Sequence, residues 1–248
     1  MLDRGRNFDK VVCIVHYNTP ELTRAAIWSI RKHGGKDYRI VVFDNSDKRP
    51  FAPVGEPLQI EDSNVWVYDN TRGQLIDFDA WLDTFDSKER IDNNYASARH
   101  CYTVQWLVDN LRCPFVLMDS DVLVKRDFSD FFDEECVWVG MSSLHYSRFG
   151  NVMRVEPMIC YVNAPMMLAH DVTYFSAKKM YALTHRRPDG AYDTGCWFYE
   201  DCNLKKLQTR HVDTSDYIVH FGHGSWGNKG EQEAQKWLEN HRNLWRND

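Results

Sequence analysis

The sequence predicts an α/β fold, with a mostly parallel, Rossmann-like sheet in the N-terminal half and a mixed sheet in the C-terminal half. Three observations predict it. Val11-Val12-Cys13-Ile14-Val15 and Arg39 to Phe43 are short apolar runs separated by a helical stretch. Each run halts at polar residues, His16-Tyr17-Asn18 and Asp44-Asn45-Ser46. A later run, Phe115-Val116-Leu117-Met118, delivers Asp119-Ser120-Asp121 in the same manner. Continuous rather than alternating apolar runs belong to strands covered on both faces, as in parallel sheets.

The elements follow in order. Thr19-Pro20-Glu21 reads as N-cap, first-turn proline and first-turn acid, and Leu22, Ala25, Ala26, Ile30 and His33 continue at helical spacing to Gly34-Gly35. Strand, helix, strand over this span is a βαβ unit, whose strands are parallel. Residues 47–64 carry three of the eight prolines and read as a loop. Val65-Trp66-Val67-Tyr68 is a third strand, and Leu75, Phe78, Leu82 and Phe85 form one helical stripe. Ala98, Cys101, Val104, Val108 and Leu111 mark another helix, broken at Cys113-Pro114. In the second half, strands are expected at Cys136–Val139, Met158–Val162 and Tyr217–Val219, and helical patches at Ser176–Leu183 and about Thr194–Leu207. Ala234, Trp237, Leu238, His241, Leu244 and Trp245 make a last amphipathic helix, facing either core or a partner subunit. With no repeat or long linker, one domain over 1–248 is expected, its parallel half over about 10–125 and its mixed half over about 126–248.

Composition narrows function. The chain has 248 residues, 43% hydrophobic and 27% charged, and a fold of this size buries roughly 70–75% of its unfolded surface. Thirty Lys and Arg against 36 Asp and Glu leave a formal charge of −6, the wrong sign for displacing counterions from a polynucleotide, so no nucleic-acid partner is expected. If phosphate is handled, a cation must supply part of the positive charge. No apolar run approaches the ~20 residues that span a bilayer, and Met1 to Lys10 is polar. The seven cysteines include no C-x-x-C pair and read as reduced, buried thiols. A cytoplasmic location is expected, with the inner face of the membrane as an alternative.

Four stretches could carry chemistry. Alternation along a strand would aim Asp119 and Asp121 the same way and Ser120 the other. Two such carboxylates repel, and a divalent cation with hard oxygen ligands, Mn²⁺ or Mg²⁺, resolves that repulsion; two acids in a solvated turn are the alternative. His220, ending the run Tyr217-Ile218-Val219, is a candidate third ligand, preferred to His223 in the same glycine-rich stretch; a structural histidine is the alternative. Asp44, at the end of the second strand, can accept from a base N–H or a ribose hydroxyl, or simply build an Asx turn, and the two roles do not exclude each other. Tyr192-Asp193-Thr194-Gly195-Cys196-Trp197-Phe198-Tyr199-Glu200-Asp201 combines aromatics with acids, either a sugar-stacking wall beside a general base or plain core with a helix cap at Asp193.

The order of these motifs resembles nucleotide-sugar glycosyltransferases of the A-type fold, most like glycosyltransferase family 2. Val12 to Asn18 with Thr19-Pro20-Glu21-Leu22 looks like that family's opening strand and helix, and Val41 to Ser46 like its second strand and acidic turn. Asn94-Tyr95-Ala96-Ser97-Ala98-Arg99-His100 is similar to its Asn-x-Gly-x-x-x-Ala-Arg-Asn segment, with Ala96 in place of glycine and His100 in place of Asn. Asp119-Ser120-Asp121 matches its Asp-x-Asp, and Phe198 to Leu204 its Glu-Asp motif. His220 through Trp226 is similar to the metal-binding His segment of other A-type enzymes, without their Lys-Pro-Trp.

The resemblance implies a single-domain A-type glycosyltransferase fold over about residues 10 to 225 and transfer of a sugar from a nucleoside diphosphate to an acceptor hydroxyl, on a glycan or a lipid-linked saccharide. About 10–125 would be a nucleotide-binding half, in which Asn18, Asp44, Arg99 and Asp119 hold the donor, and about 126–248 an acceptor-binding half. Asp119, Asp121 and His220 would hold Mn²⁺ or Mg²⁺, and the base would be Asp201, Asp193 or Glu200. The rival reading is a haloacid-dehalogenase-like phosphatase using Asp119 and Asp121, whose nucleophile motif the stretch Asp119-Ser120-Asp121-Val122-Leu123 fits locally.

Overall fold

The computed structural model describes residues 10–34, 37–52, 64–82, 95–133, 135–147, 150–174, 195–222 and 230–246. Strand β1 is Val11–His16, helix α1 Pro20–His33 and strand β2 Arg39–Asp44, the predicted βαβ unit. Strand β3 (Val65–Asp69), the short helix α2 (Phe78–Leu82), helix α3 (Tyr95–Leu111) and strand β4 (Pro114–Asp119) follow. Leu75, expected on a helix with Phe78, instead lies outside it and is exposed. A three-residue strand β5 (Val122–Val124) leaves the turn after β4.

The second half opens with a long hairpin of β6 (Trp138–Ser147) and β7 (Gly150–Asn163), then the one-and-a-half-turn helix α4 (Ala164–Ala169). Helix α5 (Cys196–Leu204), strands β8 (Thr209–His211) and β9 (Ile218–His220), and helix α6 (Glu231–Asn240) complete the described elements. The first C-terminal strand begins at Trp138 rather than Cys136. The patch Ser176–Leu183 lies outside the described residues.

Among the described residues one sheet has the order β3-β2-β1-β4-β7-β6-β8, and β5 pairs with β9 in a separate ladder. The pairs β2–β3, β1–β2 and β1–β4 are parallel, whereas β4–β7 and β6–β7 are antiparallel and β6–β8 is parallel again. The parallel N-terminal half and mixed C-terminal half are thus as the sequence predicts.

Period-two alternation divides the core. Val11 and Cys13 join Val41, Phe43, Phe115 and Leu117 under α3, which contributes Val104, Leu107 and Val108. Val12 and Ile14 join Ile40, Val42, Val116 and Met118 under α1, which contributes Ala26, Ile27 and Ile30. With both faces covered, alternation in hydrophobicity disappears from the sequence, as the unbroken apolar runs indicated. A third cluster of Leu22, Ala25, Leu123, Phe221, Leu238 and Trp245 packs α6 onto the far side of α1 and the β5–β9 ladder. Trp245 is buried there and stacked on Trp28 at 5.3 Å, so this face of the C-terminal segment belongs to the core. Strands β1, β2 and β4 run parallel, so their carboxyl ends open side by side, where open α/β sheets bind ligands.

Candidate active site

Strand β4 ends at Asp119, opposite Val15 of β1, and Ser120 and Asp121 form the turn into β5. The acidic pair is therefore separated by a turn, where the sequence suggested one continuous strand. The alternation survives for another reason: Ser120 is buried and its hydroxyl lies 3.2 Å from the Thr19 hydroxyl. Thr19 precedes α1 but makes no side-chain cap bond, because this contact uses its hydroxyl instead.

The β5–β9 ladder carries the third residue in. Val122 pairs with His220, and the Phe221 N–H donates to the Asp121 carbonyl at 3.0 Å. His220 Nε2 consequently sits 3.2 Å from Asp121 Oδ1, with Asp121 buried and the imidazole part-exposed. Asp119, Asp121 and His220 each offer one ligand atom, and these atoms lie within 4.8 Å of one another. Ligand atoms around an octahedral ion at about 2.1 Å stand roughly 3 to 4 Å apart. Two carboxylates and an imidazole at this spacing are a donor set that could hold a single metal ion.

Beside this cluster, the loop after β2 is a knot of local hydrogen bonds. Asp44 is 2% exposed; its Oδ1 accepts from Ser46 N–H at 2.9 Å and its Oδ2 from Phe51 N–H at 2.6 Å. The Asx-turn reading of Asp44 holds, extended to both ends of the loop. Asn18, in the left-handed region at φ 57°, accepts from Lys48 N–H at 3.0 Å and Arg49 N–H at 2.8 Å. Its amide donates to Asp47 Oδ1 at 2.5 Å, and this bond, together with one from Tyr17, holds the Asp47 carboxyl below the usual range. Arg99, on α3, donates to the Asn45 carbonyl at 3.1 Å and places its guanidinium 5.3 Å from the Tyr17 ring and 4.7 Å from that of Phe78.

Sequence reasoning missed the polar network that fixes Arg99. Asn45 donates to Thr103 Oγ1 at 2.8 Å, Asn70 donates to Asn45 Oδ1 at 3.0 Å, and the Thr103 hydroxyl donates to the Arg99 carbonyl at 2.8 Å. The available signal was positional, since Asn70 follows β3 just as Asn45 follows β2.

His16, fully buried, closes the loop from beneath. A carbonyl only accepts, so the 3.3 Å contact to Arg49 O puts the proton on Nε2, and Nδ1 accepts from the Thr23 hydroxyl at 2.7 Å. The neutral ring is satisfied, and burial lowers its pKa from the ordinary 6.5 despite the Asp44 carboxylate 3.9 Å away. With the folded value below the unfolded one, the unfolded chain takes up the proton first as pH falls. The stability that His16 contributes is full above about pH 6.5 and declines below it until the folded value is passed. Urea unfolding between about pH 5 and 7.5 is expected to show this slope in the wild type and to lose the His16 share of it in His16→Gln.

On α5, Phe198, Asp201 and Cys202 occupy the buried side at spacings of three and four. Thr173 donates to Asp201 Oδ2 at 3.4 Å. The helix is preceded by Gly195 at φ 81°, a left-handed conformation suited to glycine, so Gly195 and not Asp193 is the N-cap. Glu200 lies on this helix, while its side chain, along with Asp193 and His223, falls outside the described residues.

A mostly parallel sheet flanked by α1 and α3, with an acidic pair at the end of β4 and a histidine brought beside it, has the A-type fold of glycosyltransferases. Among solved structures, the galactosyltransferase LgtC in complex with donor and acceptor sugar analogues matches with a TM-score of 0.52 at 12% identity, over 82% of this chain and 73% of that one. Mouse xyloside xylosyltransferase 1 matches with a TM-score of 0.50 at 11% identity, over 83% and 86%. The glycosyltransferase GlyE of Streptococcus pneumoniae TIGR4 matches at 0.46 and 13%, over 85% of this chain but only 46% of that one, so the chain spans less than half of GlyE. No family model and no curated protein matches the chain. The likenesses to LgtC and the xylosyltransferase show the fold and do not single out family 2. They do not favour the phosphatase reading of Asp119 and Asp121. No helix among the described residues is long and apolar enough to cross a membrane.

Proposed function

We infer that the protein transfers a sugar from a nucleoside diphosphate sugar to an acceptor hydroxyl, with a divalent cation at Asp119, Asp121 and His220. The observation that carries this reading is the convergence of those three residues, from two distant stretches of chain, at the carboxyl edge of an A-type sheet. LgtC, of the same fold, has been crystallised with donor and acceptor sugar analogues. When bound, the cation would supply positive charge against the donor's diphosphate.

The protein's own groups do the rest. Arg99, steadied between Tyr17 and Phe78, adds a fixed positive charge at the strand ends, and the loop ordered by Asp44 and Asn18 presents the nucleoside side. The bond from the anomeric carbon to the diphosphate oxygen breaks and one to the acceptor oxygen forms. In an inverting reaction Asp201 takes the acceptor's proton. The hairpin and α5 of the second half frame the acceptor, a glycan or lipid-linked saccharide.

A panel of nucleoside diphosphate sugars, incubated with Mn²⁺ or Mg²⁺ and candidate saccharide acceptors, is expected to yield one donor whose nucleoside diphosphate is released. Chelation should stop the release. Turnover of an aryl phosphate instead, with no nucleotide sugar consumed, would overturn the assignment in favour of a phosphatase.

A further inference from the structure

The β5–β9 ladder that brings His220 to Asp121 has three residues per strand and stands apart from the main sheet. A two-stranded ladder of that length is unstable unless both faces are packed. One face, Val122, Val124 and Ile218, lies in the core cluster that includes Val116, Met118, Phe128 and Phe131. The other, Leu123, Val219 and Phe221, is covered by Leu22 and Ala25 of α1 and by Ala234, Trp237 and Leu238 of α6. Phe221, immediately after His220, meets the Trp237 ring at 5.3 Å and is 8% exposed.

Helix α6 is pinned at both ends. At its start Arg49 binds both Glu21 oxygens at 2.8 Å through Nη2 and Glu231 Oε1 at 2.7 Å through Nη1, tying α6 to α1 and to the loop after β2. Beyond its end, Trp245 stacks on Trp28 and donates to the Leu238 carbonyl at 3.0 Å. Lys32 donates to the Arg246 carbonyl at 2.6 Å. A helix so held makes a fixed wall behind Phe221.

We propose that Trp237 is a positioning residue for the cation site, setting through Phe221 the place of His220 against Asp121. The proposal rests on the assignment of Asp119, Asp121 and His220 as cation ligands. Groups hydrogen-bonded directly to a metal ligand typically change affinity 10- to 100-fold, and a packing contact one residue removed is expected at the lower end of that range.

The test is titration of Mn²⁺, followed by the electron-spin resonance of the free ion, with and without inorganic pyrophosphate as a base-independent stand-in for the donor. Thermal unfolding is measured on the same samples. Trp237→Ala is expected to weaken Mn²⁺ binding about tenfold, Trp237→Phe to restore most of it, and Lys236→Ala, exposed on the same helix, to change nothing. Phe221→Leu, which keeps an apolar side chain while removing the ring contact, should weaken binding severalfold and serves if Trp237→Ala does not fold. Wild-type affinity in both Trp237→Ala and Phe221→Leu, with binding abolished in Asp121→Ala, would overturn the positioning role and leave the cation site standing. A wild-type protein that binds no Mn²⁺ under either condition overturns both.

Discussion

Replacing Asp121 with alanine is expected to weaken cation-dependent binding of a nucleoside diphosphate by at least about 100-fold, the upper end of what losing a mere outer partner costs. Asp121 is 6% exposed, its Oδ1 lies 3.2 Å from His220 Nε2, and Asp119 is within the same 4.8 Å cluster. Removing it leaves one carboxylate and one imidazole, and half of the anionic charge the cluster offers an ion is gone. The fold should tolerate the change. The backbone carbonyl of residue 121 still accepts from Phe221 N–H, and repulsion between neighbouring carboxylates is relieved. Calorimetry with Mn²⁺ and pyrophosphate, alongside the thermal midpoint, separates lost binding from lost structure. Unaltered binding in a folded Asp121→Ala protein would remove the basis for the assigned function.

The largest stability loss is expected at Trp138. This side chain is fully buried where the hairpin meets α5, 6.3 Å from the Phe198 ring and 5.6 Å from that of His211. Its ring folds over Gly140, where a Cβ would come within 2.6 Å of the indole and 2.7 Å of Cys160 Cβ. The register of β6 against β7 also shifts at this point, between Val139 and Met141. Trp138→Ala therefore empties a site whose backbone is shaped around the ring, and such truncations cost about 3–5 kcal/mol. That is a large fraction of the roughly 5–15 kcal/mol by which a typical domain is stable. Leu204→Ala, at a position 74% exposed, should change stability by no more than about 0.5 kcal/mol. Urea unfolding of both variants checks the contrast, and equal effects would refute it.

The parallel half was legible because its strands are buried on both faces and end on polar residues: β1, α1, β2, β3, α3 and β4 all lie within a few residues of their apolar patterns. The grouping of Asp119, Asp121 and His220 was legible for a related reason, since Asp119-Ser120-Asp121 and His220 each terminate an apolar run. Strand length in the second half was not. The hairpin extends through Ser142 to Glu156, a stretch rich in polar and charged residues whose pairing is set by its partner strand. Nor could the sequence separate building from binding at Asp44 and Asn18. A carboxylate or amide at a strand end suits either task, and only the Ser46, Phe51, Lys48 and Arg49 amides that bond to them reveal the structural one.

The placement of His220 on β9, 99 positions after Asp121, has a bearing on biosynthesis. Leaving the ribosome amino end first, the polypeptide could assemble β1 to β4 early, because those segments neighbour one another in order. The trio of Asp119, Asp121 and His220 would stay incomplete until the codon for residue 220 had been read. A nascent chain stalled before that point would own a nearly finished sheet yet lack one member of the trio, so any ion held jointly by those three groups would be taken up only after most of the sheet had formed.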